Sequence, residues 1–360
     1  MSGDIGRAAL DAQLLAWMAE PWQDDDSRFE STARAVFSHQ FAHCTPYQRF
    51  CRGRGVTPDS IENWDEIPAV PVGAFKELTL HSFPSESEHH VFRTSGTSSE
   101  ARGELHLDTL ALYEASLLPS FERFVLAGLP GRARLCVLAP SPAEVPDSSL
   151  SHMFGVVLAA HGDEASGFFV KEGELQLPAL LAALECAGPV ALCGTAFSFV
   201  HLLDSLAARD QRLELPTGSR VMETGGFKGR SRELARDDLY GSLEARLGVG
   251  AESIVNQYGM TELGSQFYDT TLHEPGAPRR KLGPPWTRVR IIDPQTGASC
   301  APGETGAIVL HDLANTGSVA AIQTADLGRA IEDGFEVIGR EPGAEARGCS
   351  IALDEMLERR

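Results

Sequence analysis

Positive charge is in short supply in this sequence: 31 Lys and Arg stand against 50 Asp and Glu in 360 residues, for a formal net charge of −19. A nucleic-acid-binding face needs an excess of Lys and Arg, so that class of partner is excluded. An anionic membrane surface is disfavoured on the same ground. The basic cluster Arg279-Arg280-Lys281 is too short to reverse the balance. Long apolar runs are missing too, none approaching the roughly 20 residues that span a bilayer. The first twenty residues lack a basic start followed by an apolar core, which argues against a secretory signal. Seven cysteines form no regular framework and no Cys-x-x-Cys. Neither a disulfide scaffold nor a structural zinc site is therefore expected, and the chain is assigned to a reducing cytoplasm. Internal repeats and low-complexity tracts are absent as well.

What is present is an ordinary globular composition, 42% hydrophobic and 22% charged, enough to bury a sizeable core. The first 80 residues read as helical and loop-rich, punctuated by Pro46, Pro58, Pro68 and Pro71. Further on, strands and helices alternate. Residues 134–140 and 190–194 read as buried strands, 177–187 and 197–208 as helices. A strand ending near Glu223, a helix over 231–247 and a strand over 253–257 follow. This alternation predicts an α/β fold with mainly parallel sheets flanked by helices. Ligands of such sheets sit beyond the carboxyl ends of the strands. After Pro284 the pattern changes to short strands (288–292, 307–310 and 335–338), predicting a small β-rich subdomain.

Three segments carry chemistry. Phe92 to Ser99 packs five hydroxyls, those of Thr94, Ser95, Thr97, Ser98 and Ser99, around Gly96. Backbone N–H groups and hydroxyls in a tight loop can hold phosphate oxygens without net positive charge, and a glycine lets the backbone approach. The same composition also fits a solvated Ser/Thr turn. A Walker loop is excluded, because the G-x-x-x-x-G-K-[ST] spacing is absent. Gln257 to Glu262 sets Tyr258, Gly259, Thr261 and Glu262 directly after a predicted strand. Thr261 can bond a phosphate oxygen and Glu262 can hold Mg²⁺, or Thr261 can simply cap a following helix. Asp326 and Arg340 can accept from and donate to ribose hydroxyls, or stand as surface charges at strand ends.

Taken in this order, the three segments resemble those of the adenylate-forming superfamily of acyl-CoA synthetases, firefly luciferase and nonribosomal peptide synthetase adenylation domains. A closer resemblance is to the acyl-protein synthetase (LuxE-like) family of bacterial bioluminescence operons. It is carried by Thr45-Pro46-Tyr47, Ile67 to Pro71 with Phe75-Lys76, Gly194 to Phe197, Glu223 to Gly229, and Arg347-Gly348-Cys349-Ser350. Phenylacetate-CoA ligase-like enzymes are the next relatives by the same reading.

The resemblance implies ATP and Mg²⁺ as cofactors and a reaction in two steps: a carboxylate attacks the α-phosphorus of ATP, and a thiol then takes the acyl group from the adenylate. It implies that Thr94, Ser95, Gly96, Thr97 and Ser98 hold phosphate and that Thr261 contacts the α-phosphate. Glu262 would bind the metal; Gly225, Gly226, Tyr258 and Gly259 would flank the nucleotide; Asp326 and Arg340 would hold ribose. Cys349 would accept the acyl group.

The implied organisation is a large adenylate-forming domain over 1–340, with 282–340 as its β-rich subdomain and 341–360 a short tail. Larger superfamily members add a mobile C-terminal domain of about a hundred residues with a catalytic lysine. Only twenty residues follow Arg340 here, so that domain is expected to be absent or vestigial. The phosphate loop also departs from the usual Gly-x-Pro-Lys continuation, running Ser99-Glu100-Ala101-Arg102, with Arg102 a candidate replacement for the lysine.

The leading expectation is an acyl-protein synthetase acting on a fatty or related acid. Its partners would be that acid and an acyl-accepting or acyl-donating protein such as a reductase, thioesterase or carrier protein. Two rivals are a ligase feeding coenzyme A or a carrier protein, and a non-catalytic nucleotide-binding subunit.

Overall fold

The computed structural model describes residues 6–95, 101–225, 235–340 and 356. The chain divides into two compact units. One comprises Ser120–Gly259 and Phe267–Lys281; the other comprises Met1–Pro119, Met260–Gln266 and Leu282–Arg360.

In the first unit the alternation read from the sequence becomes a parallel sheet. Arg134–Leu138 pairs with Gly167–Phe168 on one side and Val190–Thr195 on the other; Arg220–Thr224 and Ile254–Tyr258 follow, all parallel. Phe267–Asp269 then runs antiparallel to Ile254–Tyr258. Helices Leu177–Leu184, Ala196–Ala207 and Arg236–Leu247 turn leucines and Phe199 onto these strands, forming the core with Cys136, Leu192, Val221 and Ile254. Local sequence sets the helix ends. Thr195 starts one helix through a capping box with Ser198. The helix expected to reach residue 187 stops at Leu184, ahead of the Gly188-Pro189 breaker. Cys136 and Cys193 are buried in adjacent strands, small apolar fillers as their surroundings require.

The second unit opens with helices Arg7–Met18, Asp26–His43 and Thr45–Gly53, whose buried faces supply Phe29, Phe37, Tyr47 and Phe50. Its strands form an antiparallel meander in sequence order, Thr287–Ile292, Gly306–Asp312, Ala321–Ile331 and Gly334–Arg340. Val70–Pro71 joins Ala321–Ile331 in parallel. Residues 334–340 and 306–312 extend the strands expected at 335–338 and 307–310. The eleven-residue strand Ala321–Ile331 was not legible in the sequence, because Gln323, Asp326 and Arg329 interrupt its apolar pattern. Among the described residues no helix is long and apolar enough to cross a membrane.

Candidate functional site

Thr94 stands at the mouth of a short antiparallel hairpin, His90–Arg93 against Glu104–Leu107. Phe92 anchors the hairpin from below, fully buried against Tyr113 at 5.2 Å between ring centroids. Beyond the last ladder pair, Arg93 with Glu104, Thr94 closes the mouth with both backbone and side chain. Its N–H donates to Gly103 O at 2.9 Å, and its Oγ1 accepts from Gly103 N–H at 2.9 Å. A hydroxyl that accepts one such bond still carries a proton it can donate, the role a phosphate ligand plays. Arg102 donates to Thr94 O at 2.5 Å and Arg93 O at 3.2 Å. These donors brace the loop base. Ser95 is exposed beside Thr94. Gly96, Thr97 and Ser98 lie outside the described residues.

Glu262 meets this hairpin at Gly103. A Cβ placed on Gly103 would stand 3.0 Å from Glu262 Oε1 and 3.1 Å from Thr94 Cγ2. The Glu262 carboxylate and the Thr94 methyl group thus both border Gly103, where any side chain would crowd them. Glu262 is buried, on a turn in which Met260 O accepts from Leu263 N–H at 3.2 Å. No helix follows this turn, so Thr261 is not the N-cap its sequence allowed; the chain runs instead into the strand Phe267–Asp269. Among the described residues no three His, Cys, Asp or Glu side chains gather as a metal cage. A single carboxylate such as Glu262 does fit Mg²⁺, which is commonly held by one or two carboxylates plus substrate phosphates.

The turn after Gly306–Asp312 grips the Glu262 segment. Asn315 Nδ2 donates to Glu262 O at 2.7 Å. Asp312 accepts from Ser265 N–H and Ser265 Oγ, each at 2.7 Å. Ser265 Oγ also lies 2.7 Å from Ser116 Oγ and 3.1 Å from Trp286 Nε1. Burial pushes the Asp312 carboxyl up to about 6 despite these donors.

Asp326 and Arg340 are brought together: they are opposite each other in the ladder, with Arg340 Nε 3.3 Å from Asp326 Oδ1. Thr324 Oγ1 accepts from Asp326 N–H at 3.1 Å and donates to Ile308 O at 3.0 Å, fixing the backbone beneath the carboxylate.

In the unit with the parallel sheet, Gly225 and Tyr258 stand side by side at the carboxyl ends of adjacent strands. The last ladder pair is Thr224 with Gln257, reinforced by Thr224 Oγ1 donating to Gln257 O at 3.1 Å. Gly225 takes φ +79, which disfavours any side chain. Gly259 follows Tyr258, exposed; Gly226 lies outside the described residues. Behind these strand ends Glu223 is buried and accepts from Tyr240 Oη at 2.9 Å and Asn256 Nδ2 at 2.6 Å. Burial raises its pKa against those donors. Lys281 and Asp269 form a buried ion pair at 2.5 Å, and Lys281 also donates to Asn256 O at 3.0 Å. Cys349 lies outside the described residues. Gly103, Asp312 and Asn315, which border the Glu262 segment, were not singled out from the sequence. For Asp312 and Asn315 the signal, polar residues ending an apolar strand in Leu310-His311-Asp312-Leu313-Ala314-Asn315, is legible only once the turn they contact is known.

The family profile described as "Acyl-protein synthetase, LuxE" matches residues 1–358. A long-chain-fatty-acid–luciferin-component ligase of Aliivibrio fischeri is 22% identical over 375 residues, covering 99% of this chain and 96% of the relative. Its counterpart in Vibrio harveyi is 21% identical over 366 residues, covering 97% and 94%. Among solved structures, an open conformation of 2-hydroxyisobutyryl-CoA ligase with 2-HIB-AMP and CoA superposes with a TM-score of 0.61 at 13% identity, covering 94% of this chain and 76% of that one. At this identity the likeness is one of fold. The chain spans about half, 49%, of ATP-bound MatB from Rhodopseudomonas palustris, with 72% of this chain covered, 19% identity and a TM-score of 0.49.

Proposed function

Because the chain belongs to the acyl-protein synthetase (LuxE) family, we propose that it activates a carboxylic acid, a fatty acid first among candidates, with ATP and passes the acyl group to a protein thiol. In the first step a carboxylate oxygen bonds to the α-phosphorus and the bond to pyrophosphate breaks. In the second a thiolate attacks the acyl carbon, forming a thioester and releasing AMP. Both steps depend on holding reactants in line and on stabilising phosphate charge.

The observation that supports this reading is that the Glu262 carboxylate and Thr94 both border Gly103, with no side chain between them there. Thr94 to Ser98 would donate to phosphate oxygens, with the Thr94 hydroxyl proton available as described. Thr261 would donate to the α-phosphate. Glu262 would hold Mg²⁺, whose charge, when it is bound, offsets that of the phosphates. Gly225, Gly226, Tyr258 and Gly259 would flank the adenine, at the strand ends where ligands of parallel sheets bind. Asp326 would accept from ribose hydroxyls and Arg340 would donate to them. Cys349 would take the acyl group as thioester, with a reductase, thioesterase or carrier protein as the acyl-accepting or acyl-donating partner. In such a pathway the protein works among soluble cytoplasmic partners.

Pyrophosphate release with ATP and a panel of carboxylic acids tests the first step. Turnover is expected with fatty acids; no release with any acid, alone or with partner proteins, overturns the enzymatic reading. Labelled acid retained on the denatured protein and lost in Cys349→Ser establishes the second. Label moving only to coenzyme A would make the protein a coenzyme A ligase instead.

A further inference from the structure

We infer that Asn315, seconded by Asp312, is the positioning residue that fixes Glu262 for metal binding; this rests on the reading of Glu262 as the carboxylate that holds Mg²⁺. Glu262 sits on a turn rather than in a helix or strand, so regular backbone pairing does not set the direction of its side chain. A second turn holds its backbone. Asn315 Nδ2 takes the Glu262 carbonyl at 2.7 Å, and Asp312 takes the N–H and hydroxyl of Ser265, three residues on. Between these holds lies Gly264, where a Cβ would come within 2.8 Å of Ala314 Cβ and 3.1 Å of Ala314 C. Glu262 to Ser265 is therefore pressed onto residues 312–315 with no room for a side chain between them.

The gripping turn is itself held from other directions. Gln40, on the helix Asp26–His43, donates to Asn315 O at 2.8 Å and accepts from Ala320 N–H at 3.1 Å. Ser82 Oγ donates to Thr316 O at 2.7 Å, and Ser318 Oγ to Leu80 O at 2.6 Å. Asn315 is 1% and Asp312 0% exposed, so their bonds act without competition from water. Gln40, Ser82 and Ser318 stabilise the turn. Asn315 passes that rigidity directly to the Glu262 carbonyl.

The test uses the full chain without any carboxylic acid, so that ATP is not consumed, and reads affinity by calorimetry for ATP alone and for ATP with Mn²⁺ as the probe metal. The wild type is expected to bind ATP more tightly with Mn²⁺. Asn315→Leu and Glu262→Gln should each lose about tenfold of that metal-dependent gain while keeping the metal-free affinity, the size typical of outer-shell changes at metal sites. Ser318→Ala, which removes a buried hydrogen bond from the same turn, should lower stability and keep the gain. Should Asn315→Leu fail to fold, Asn315→Asp keeps the shape and loses the donor, and the same loss is expected. A full gain in the Asn315 variants with loss in Glu262→Gln overturns the role of Asn315 alone. A full gain in Glu262→Gln overturns the metal role of Glu262 and this inference with it.

Discussion

Arg340 stands directly across an antiparallel ladder from Asp326, its Nε 3.3 Å from Asp326 Oδ1. The Arg340 side chain is 61% exposed, so the pair contributes little to stability. It sets a carboxylate and a guanidinium at one place on the sheet, the pair proposed to hold ribose. Asp326→Asn is therefore expected to raise the KM for ATP about tenfold or more, the worth of one charge-assisted hydrogen bond, with a thermal midpoint close to wild type. Pyrophosphate release against ATP concentration measures it. An unchanged KM would remove ribose from this pair.

Gly103 and Gly264 predict opposite outcomes for the same chemical change. At Gly103 a methyl group would press on the far end of the Glu262 side chain, which can swing aside. Gly103→Ala should cost less than about 1 kcal/mol of stability and lower the rate of adenylate formation about tenfold or more, because the carboxylate has moved.

At Gly264 the obstacle is Ala314, Cβ and backbone, which cannot swing. Gly264→Ala should destabilise by about 1–3 kcal/mol, as overpacking does. Urea unfolding of both variants beside pyrophosphate assays separates the two effects. A stable, inactive Gly264→Ala would show that the turn yields more easily than its packing implies.

The contrast explains what could be read in advance. The parallel sheet was legible because 134–138 and 190–195 are largely apolar runs bounded by turn residues, and because strands and helices alternate at regular spacing up to 254–258. The hairpin that presents Thr94 was missed. Its strands are four residues each and carry His90, Arg93, Glu104 and His106, too short and too charged to register as alternation. Thr94, Glu262, Asp326 and Arg340 were proposed from motifs; the structure places Glu262 and Thr94 on either side of Gly103 and Arg340 against Asp326. Asn315 and Asp312 were not found. Their effect exists only in the contact between two turns some fifty residues apart, which no window of sequence contains.

Acid should act on this unit through His311 and Asp312 with opposite signs. His311 packs edge-on against Trp64 at 4.9 Å, and burial, with Arg290 adding to it, depresses its pKa from 6.5 to about 3. The neutral ring is the buried form. Its contribution to stability is complete above pH 6.5 and is lost progressively as pH falls towards 3. Asp312 runs the other way. Its pKa is raised from 3.8 to about 6, so the stability it contributes is complete below 3.8 and lost as pH rises through 6. Between about pH 4 and 6 the two slopes, each about 1.4 kcal/mol per unit, nearly offset in the wild type. His311→Leu removes one of them. Its stability relative to wild type should therefore grow by up to about 1.4 kcal/mol for each unit of acidification below 6.5. Urea midpoints of the two proteins at pH 7, 6 and 5 measure the difference. A constant difference would mean that His311 titrates no differently folded than unfolded, and that its burial is relieved by water.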